Sequence, residues 1–437
     1  MKTFAIRRLE RWLKAGPFRL AVLLPFLFLA WAGCALFDVM GQRTLFYQQG
    51  EEELFDFFMP KMCLEQGYAG RPSMYTGWTC ARNGKPIEIN EEDVVWSDWY
   101  TDGKITTFIT GCRDKVYPAF ALLPFKLFPA TRWGGYLWSG LAGCLFIAVL
   151  CWLGRSAWPV LLALTMPFLF NLERGNPVWL SALCVGIFLA WWDDKTEWKR
   201  LLAAAALAAA GSLKIAPFVL GLLYLTKWRW RPVLLCASLS IVFLLVPWFF
   251  VPDGFGGLPV MIRNAAEHAQ FVQRGSDFGF VQLWRTFRLV MGQDVQNIWT
   301  GMRSVAIVSQ LAGVCLLAAG TRRRDLLLLV GGMVLAAGNM YYYAALYLFP
   351  VLVLESGRDG MRRSLGVCEA ALWLMILSPW QIVCFGHSAN QTICNVSLMA
   401  LLIFRLWKGG SRTGHPVIHP ADPSDRFSIM LKKSRWW

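Results

Sequence analysis

Apolar runs of roughly 18 to 25 residues alternate with short polar and basic clusters along most of the chain. Runs of this length are typical of transmembrane helices, because about 20 helical residues cross the ~30 Å hydrocarbon core of a bilayer. The first run, about 18–37, follows a basic segment and lacks a cleavage site, which predicts an uncleaved first helix. Further single spans are predicted at about 132–153, 157–171, 177–192, 232–250, 302–320, 365–384 and 391–406.

Two further apolar stretches, about 201–226 and 325–355, do not fit a single crossing of the membrane. Each is basic on both flanks, so one crossing would leave a Lys/Arg cluster outside, against the positive-inside rule. The first is interrupted at 211–217, where Gly and Pro break a helix and where a lysine at the bilayer centre would be costly. The second is interrupted at 338–343. We therefore predict two pinched hairpins, each with its tip at the outer face.

Together these elements predict an all-α polytopic integral membrane protein. It has about twelve transmembrane segments, counting two for each hairpin, and both termini lie inside. Residues 1–407 are expected to form one membrane domain, followed by a basic, disordered cytoplasmic tail at 408–437. The protein is expected to be surrounded by membrane lipids, in a bacterial-type inner or plasma membrane.

Two polar segments are predicted on the outer face. The first, 38–116, contains more acidic than basic residues and includes an insertion at about 70–113 to which we assign no role. Within this loop, 51–67 is predicted to be an amphipathic helix lying on the membrane surface. Residues 117–129 are predicted to form a second surface helix, because this segment is too short to span the membrane. The second outer segment is 252–300.

The composition agrees with a membrane protein. Hydrophobic residues make up 56% of the chain, and charged residues only 16%, against roughly 25% in soluble proteins. The net charge of +15 comes from clusters between apolar runs, so it indicates membrane topology and not a nucleic-acid partner. Without a C-x-x-C pair and with scattered histidines, the sequence predicts no metal and no cofactor. Cys63, Cys80 and Cys112 share the outer loop, where one disulfide is predicted, and Cys63–Cys80 is the shorter closure.

The unusual polar residues are predicted to meet on the outer face. Asp56 stands in Leu54-Phe55-Asp56-Phe57-Phe58-Met59-Pro60, a carboxylate among apolar and aromatic neighbours. Glu173 to Asn176, the Lys214 tip, segment 252–300 and the tip at 339–343 are expected on the same side. Irregular backbone within a membrane protein is tolerated where it lines a cavity, so this face is predicted to hold a binding site.

The chain resembles the polytopic GT-C glycosyltransferases, and most closely glycosyltransferase family 87. Four features, together spanning roughly 18–231, carry the resemblance. They are Phe55-Asp56-Phe57 soon after the first helix; Tyr117-Pro118 to Leu123-Pro124; Glu173-Arg174-Gly175-Asn176 opening a helix; and Ala210-Gly211-Ser212-Leu213-Lys214-Ile215-Ala216-Pro217 followed by a Trp/Arg cluster. The chain departs from the family pattern at 339–343, which reads Asn-Met-Tyr-Tyr-Tyr where the family often has a Trp and a His.

The resemblance implies an inverting, metal-independent transfer of a sugar from a polyprenyl-phosphate donor. The sugar would be a hexose such as mannose, and the acceptor a cell-envelope glycolipid or glycan. The reaction is expected on the periplasmic or extracellular face. One carboxylate suffices for this chemistry: a lipid phosphate leaves as a stabilised anion, whereas the alcohol that leaves in glycoside hydrolysis must be protonated.

Asp56 is the predicted general base, and burial among Phe55, Phe57 and Phe58 is expected to raise its proton affinity. The predicted partners of the donor phosphate or substrate are Arg174, Asn176, Lys214, His268, Arg285, Arg288, Tyr341 and Tyr342.

Each of these residues also has a plainer interpretation. Asp56 could be a solvated loop acid, Arg174 an anchor at a helix end, and Lys214 a lysine that extends to the membrane surface. The alternative function is a transporter or flippase of a lipid-linked glycan, which would also use broken helices and a basic cavity. No clear internal repeat supports it. A non-catalytic scaffold would not explain a carboxylate and basic residues gathered on one face.

Overall fold

The structure is a computed structural model. It describes residues 54–67, 78–82, 85–87, 100–101, 104–105, 107–111, 116–227, 229–272, 278–291, 302–337, 340, 342–357, 367–378, 383–384, 387–388 and 390–409. Several predictions lie outside these residues: the first helix at 18–37, much of the insertion at 70–113, Tyr341, and the tail from 410 onwards.

Helices form most of the described chain. The α-helices are α1 (Phe55–Gln66), α2 (Ala119–Leu122), α3 (Arg132–Gly154), α4 (Met166–Arg174), α5 (Val178–Trp191), α6 (Glu197–Leu213), α7 (Leu222–Leu225), α8 (Trp230–Leu245), α9 (Gly257–Val272), α10 (Phe280–Val290), α11 (Met302–Arg323), α12 (Leu326–Ala337), α13 (Leu348–Gly357), α14 (Val367–Ile376) and α15 (Asn390–Gly409). Turns of 3-10 helix lie at Leu123–Leu127, Trp158–Leu164, Ala216–Gly221, Val246–Phe250, Gly254–Gly256 and Tyr342–Tyr347.

Short antiparallel strands are an addition to the predicted all-α fold. They are β1 (Trp78–Arg82), β2 (Lys85–Ile87), β3 (Tyr100–Thr101), β4 (Lys104–Ile105), β5 (Thr107–Gly111), β6 (Val383–Cys384) and β7 (His387–Ser388). In the insertion, β1 pairs with both β2 and β5. The sequence explains this: Asn83-Gly84 between β1 and β2 favours a hairpin turn, and β5 is rich in Thr, Phe and Ile.

Three described helices are long and apolar enough to cross a membrane: Trp133–Gly154, Trp230–Phe250 and Arg303–Arg323. They match the spans predicted at 132–153, 232–250 and 302–320, and each is about 30 Å long. Apolar side chains such as Leu234, Ile241 and Phe249 are more than half exposed, as on a lipid-facing helix. The protein is thus a helical membrane protein, and the count of about twelve spans stays a prediction.

The first predicted hairpin is present. Helix α6 ends at Leu213, the chain turns at Lys214, and it returns through Ala216–Gly221 and α7. The hydroxyl of Tyr224 in α7 donates to the carbonyl of Arg200 in α6 over 3.1 Å, so the return arm ends beside the start of the outgoing helix. Both ends of this hairpin therefore lie at one end of the molecule.

The second hairpin closes in the same way. Its arms are α12 and the run from Tyr342 through α13. Arg405 of α15 lies 3.6 Å from Asp325, just before α12, and 2.6 Å from Glu355 in α13. One guanidinium thus holds both ends of the hairpin together.

The two hairpins run side by side in the same sense. At their base, the Asp193 carboxylate bonds Arg229 at 2.6 Å, bonds Lys227, and lies 3.8 Å from Arg324, which precedes α12. At their tips, Lys214 Nζ lies 5.5 Å from the ring centroid of Tyr343. The ion pairs therefore mark one end of the molecule, and the tips lie at the other.

Helix α1 corrects a prediction. The helix forms within the expected 51–67, but it does not have the expected water-facing side, because Asp56 to Pro60 are all buried. Phe57 and Phe58 have almost no exposure, and Phe57 packs 5.7 Å from the ring of Phe125. Five consecutive buried positions cover every side of a helix, so the protein encloses this part of α1.

The predicted span at 157–171 is also interrupted. It divides at Thr165 into a 3-10 helix and α4, and the Thr165 hydroxyl donates to the Leu162 carbonyl over 2.6 Å. Pro159 and Pro167 lack the N–H groups that a continuous helix would need. This break lets α4 end deep in the protein, next to α1.

Candidate active site

The start of α1 is fixed to the end of α4. Leu54 has a left-handed backbone, with φ 57°, and its N–H donates to the carbonyl of Glu173 over 2.7 Å. The Leu54 and Phe57 side chains pack against Gly135 of α3, where a Cβ atom would lie 2.6 Å from Leu54 Cδ1. Asp56, in the first turn of α1, is therefore held beside the corner between α4 and α5.

That corner places Arg174 and Asn176 on either side of a glycine. Gly175 ends α4 with φ +68°, a conformation that glycine adopts without strain. Its carbonyl accepts a 2.8 Å hydrogen bond from the indole N–H of Trp138. Asn176 Oδ1 accepts from the N–H of Val178, the first residue of α5, over 2.9 Å, so Asn176 stands where the helix opens, as predicted.

The carboxylate of Asp56 receives a partner on each oxygen. Arg174 Nε donates to Oδ2 over 2.8 Å, and the hydroxyl of Tyr117 donates to Oδ1 over 3.3 Å. Asn176 Nδ2 in turn donates to the Tyr117 oxygen over 3.3 Å. Asp56 is only 5% exposed, so these bonds act in a largely dry environment, where an unpaired charge would be costly.

The proton affinity of Asp56 differs from the prediction. Burial does act to raise the pKa of the carboxyl, as predicted. The Arg174 guanidinium and the Lys214 ammonium together outweigh burial and hold the pKa below its usual value. The prediction of a raised proton affinity is therefore wrong, because it rested on the aromatic neighbours and left out the cations.

Lys214 is held by aromatic rings. Its Nζ lies 4.4 Å from the ring centroid of Tyr117 and 5.5 Å from that of Tyr343, both within the range of cation–π contacts. Among the residues that the structure describes, no acceptor lies within hydrogen-bonding distance of Nζ, and no carboxylate lies within 4 Å. The three N–H donors of this lysine are therefore available to an anion in the described part of the site.

Tyr117 and Tyr343 are site residues that the sequence did not single out. Burial and the Asp56 carboxylate raise the pKa of Tyr117 well above its usual value, so its hydroxyl keeps its proton and can donate. The sequence signal for Tyr117 is the Tyr117-Pro118 pair, one of the features that carry the resemblance. Tyr343 lies in the predicted tip at 339–343, next to Tyr341 and Tyr342, the tyrosines predicted to contact substrate.

The other predicted residues lie elsewhere or outside the described residues. Tyr342 is buried with its ring 5.5 Å from Phe170, and Tyr341 lies outside the described residues. His268 lies on α9, but its side chain is not among those described. Arg285 and Arg288 lie on α10, which packs mainly on α11 and α15, and Arg288 stacks 5.5 Å from the Trp284 ring. No described contact joins these two arginines to Asp56.

The fold and the site define a helical membrane protein with a buried, charged site where broken helices meet. The sequence profile of glycosyltransferase family 87 matches residues 116–340, more than half of the chain, and the protein belongs to this family. It is a membrane glycosyltransferase. No curated protein and no solved structure matches the chain. The matched region contains Tyr117, Arg174, Asn176 and Lys214; Asp56 precedes it and joins them through the fold.

Proposed function

We propose that the protein transfers a hexose, mannose-like in its chemistry, from a polyprenyl-phosphate donor to a glycolipid or glycan acceptor of the cell envelope. Asp56 is the general base, and Lys214 binds the donor phosphate. The observation that supports this most is the pair itself: a buried carboxylate and, beside it, an ammonium that has no anionic partner within 4 Å in the described part of the chain. A group transfer of this kind needs one base and one cation.

The reaction is a single displacement. The acceptor hydroxyl gives its proton to Asp56, and its oxygen forms a bond to the anomeric carbon of the donor sugar. The bond between that carbon and the phosphate oxygen breaks, and the electron pair leaves with the polyprenyl phosphate. Attack opposite the leaving group inverts the anomeric configuration. No general acid is needed, because the phosphate leaves as a stabilised anion.

Arg174 and Lys214 lower the pKa of Asp56, and the proposed reaction explains how Asp56 can still act as a base. The donor phosphodiester carries one negative charge, and the phosphate that leaves carries more. As this charge develops, Lys214 and Arg174 are drawn towards it, and their hold on Asp56 weakens. The carboxylate therefore becomes a stronger base as the acceptor proton is transferred. In the structure, the same cations hold the pKa of Asp56 below its usual value and so favour its ionised form.

The proposal includes a reaction on the periplasmic or extracellular face. The site lies at the hairpin tips, opposite the basic cluster of Lys227, Arg229 and Arg324 around Asp193. Clusters of Lys and Arg at the ends of membrane spans favour the cytoplasmic side. That preference supports an outward-facing site.

Purified protein with donor and acceptor tests the proposal. Asp56→Asn is expected to lower turnover about 10²–10⁴-fold with near-normal donor binding, because the amide cannot accept a proton. Lys214→Met is expected to weaken donor binding by roughly 1.5–3 kcal/mol, about tenfold or more. The matched control for the lysine is Lys126→Met, since Lys126 is exposed and bonds the carbonyl of Phe250.

Two results would contradict the proposal. Turnover of Asp56→Asn within about threefold of wild type would exclude Asp56 as the base. Movement of lipid-linked glycan across the membrane without release of polyprenyl phosphate would identify a flippase, because a flippase changes no covalent bond.

A further inference from the structure

Tyr117 contacts both charges of the site with different parts of one side chain. Its hydroxyl bonds Asp56 Oδ1 at 3.3 Å, and the centre of its ring lies 4.4 Å from Lys214 Nζ. Its position is set by the following Pro118, which opens α2, and its side chain is almost completely buried. No other described residue contacts both Asp56 and Lys214 in this way.

The direction of the hydrogen bonds follows from Asn176. Its Oδ1 accepts from the backbone N–H of Val178, so the other end of the amide, Nδ2, faces Tyr117. An amide nitrogen only donates, and the Tyr117 oxygen must therefore accept. The single proton of that hydroxyl is left to point at Asp56 Oδ1. The hydrogen bond between Val178 and Asn176 therefore sets the direction of the next two: Asn176 donates to Tyr117, and Tyr117 donates to Asp56.

The ring of Tyr117 has a second consequence. Lys214 and Asp56 influence each other electrostatically, yet the lysine contacts the face of the ring and the carboxylate contacts its hydroxyl. A direct ion pair between them would occupy the ammonium and one carboxylate oxygen. Because the Lys214 ammonium contacts the face of the Tyr117 ring instead, its N–H donors can bind another anion.

We propose that Tyr117 is a positioning residue of the transfer reaction, with two separable roles. Its hydroxyl orients Asp56 towards the acceptor, and its ring holds the Lys214 ammonium away from the carboxylate for the donor phosphate. This inference rests on the proposed function of Asp56 and Lys214.

Tyr117→Phe tests the hydroxyl alone, because the ring remains on Lys214. We expect kcat to fall about 10–100-fold while the KM for the polyprenyl-phosphate sugar stays within about twofold. The acid limb of the pH profile should move to higher pH, because a carboxylate that loses a hydrogen-bond donor holds its proton more tightly. A structural role would change stability but not this limb.

Tyr117→Leu removes the ring as well. We expect the kcat loss of the Phe variant together with a rise in donor KM of about three- to tenfold, as the ammonium loses its closer aromatic contact. The matched control is Tyr224→Phe, which also removes a hydrogen bond of a buried tyrosine, at the opposite end of the molecule. That control should keep the wild-type kcat, donor KM and pH profile.

The outcomes separate this inference from the function on which it rests. If Asp56→Asn is inactive but Tyr117→Phe has wild-type kcat and pH profile, Tyr117 is not a positioning residue and the proposed base stands. If Asp56→Asn is active, Asp56 is not the base, and the proposed function is contradicted together with the role of Tyr117 that rests on it. Equal donor KM for the Phe and Leu variants, both eluting as folded protein in gel filtration, would overturn the role of the ring.

Discussion

At the scale of the residue, the position of Asp56 depends on glycines that admit close packing. Gly175 combines two such demands: it needs a left-handed backbone, and an added Cβ would lie 2.9 Å from the Cβ of Phe57, next to Asp56. The indole N–H of Trp138 also donates a hydrogen bond to the carbonyl of Gly175. A side chain at 175 would therefore push α1, and the carboxylate with it, away from Arg174.

Gly175→Ala is expected to lower both stability and turnover. The left-handed backbone costs about 1–2 kcal/mol for a residue with a Cβ, and overpacking against Phe57 costs a further 1–3 kcal/mol or so. Thermal unfolding in detergent and sugar transfer measure the two effects. Gly140→Ala is the matched control, because its Cβ meets nothing within 4 Å on α3. Wild-type turnover in Gly175→Ala would show that α1 does not depend on this contact.

At the scale of the element, the first hairpin turns sharply because α6 ends on a glycine-containing turn. A Cβ at Gly211 would lie 2.5 Å from Cγ of Phe218, which begins the return arm. The turn also carries Lys214 to the site. The close contact between the arms and the position of the ammonium are therefore consequences of the same packing.

Gly211→Ala is expected to open this turn and to weaken donor binding. Alanine favours a helix by about 1 kcal/mol over glycine, but the clash with the Phe218 ring costs about 1–3 kcal/mol, so the clash prevails. Gly221→Ala, whose Cβ would make an ordinary 3.6 Å contact with Leu207, is the control on the return arm. Donor affinity should partly recover in Gly211→Ala/Phe218→Leu. No recovery would show that the ring is not the obstacle.

At the scale of the whole molecule, charge is divided between two ends. Asp193 gathers Lys227, Arg229 and Arg324 at one end of the hairpins, and Arg405 gathers Asp325, Glu355 and Glu369 near their bases. Asp56, Arg174 and Lys214 lie at the other end. The span Trp230–Phe250 connects the two ends.

Cysteine labelling tests which end faces outward. Gly256 follows the span Trp230–Phe250, is exposed, and has open space for a side chain; Lys195 is exposed next to the Asp193 cluster. In a cysteine-depleted protein, a membrane-impermeant maleimide should label Gly256→Cys in intact cells. It should label Lys195→Cys only after permeabilisation, because basic clusters stay inside. The reverse pattern would move the site to the cytoplasmic face.

The sequence by itself determined the features that depend on local order along the chain. Apolar length predicted the spans at 132–153, 232–250 and 302–320, because a bilayer requires a minimum helix length. Basic flanks predicted the two hairpins, whose closure the Tyr224 and Arg405 contacts confirm. The motif residues Asp56, Arg174, Asn176 and Lys214 lie together around Tyr117 in the structure, and their chemical roles stay proposals.

Only the tertiary structure decided which groups surround the carboxylate. Tyr117 and Arg174 approach Asp56 from positions 61 and 118 residues away, and Tyr343 comes from the other hairpin. Sequence patterns describe neighbours along the chain. The aromatic residues next to Asp56 in sequence therefore led to the prediction that its proton affinity is raised. Cations brought in by packing reverse that direction, because electrostatic interactions depend on distance in space.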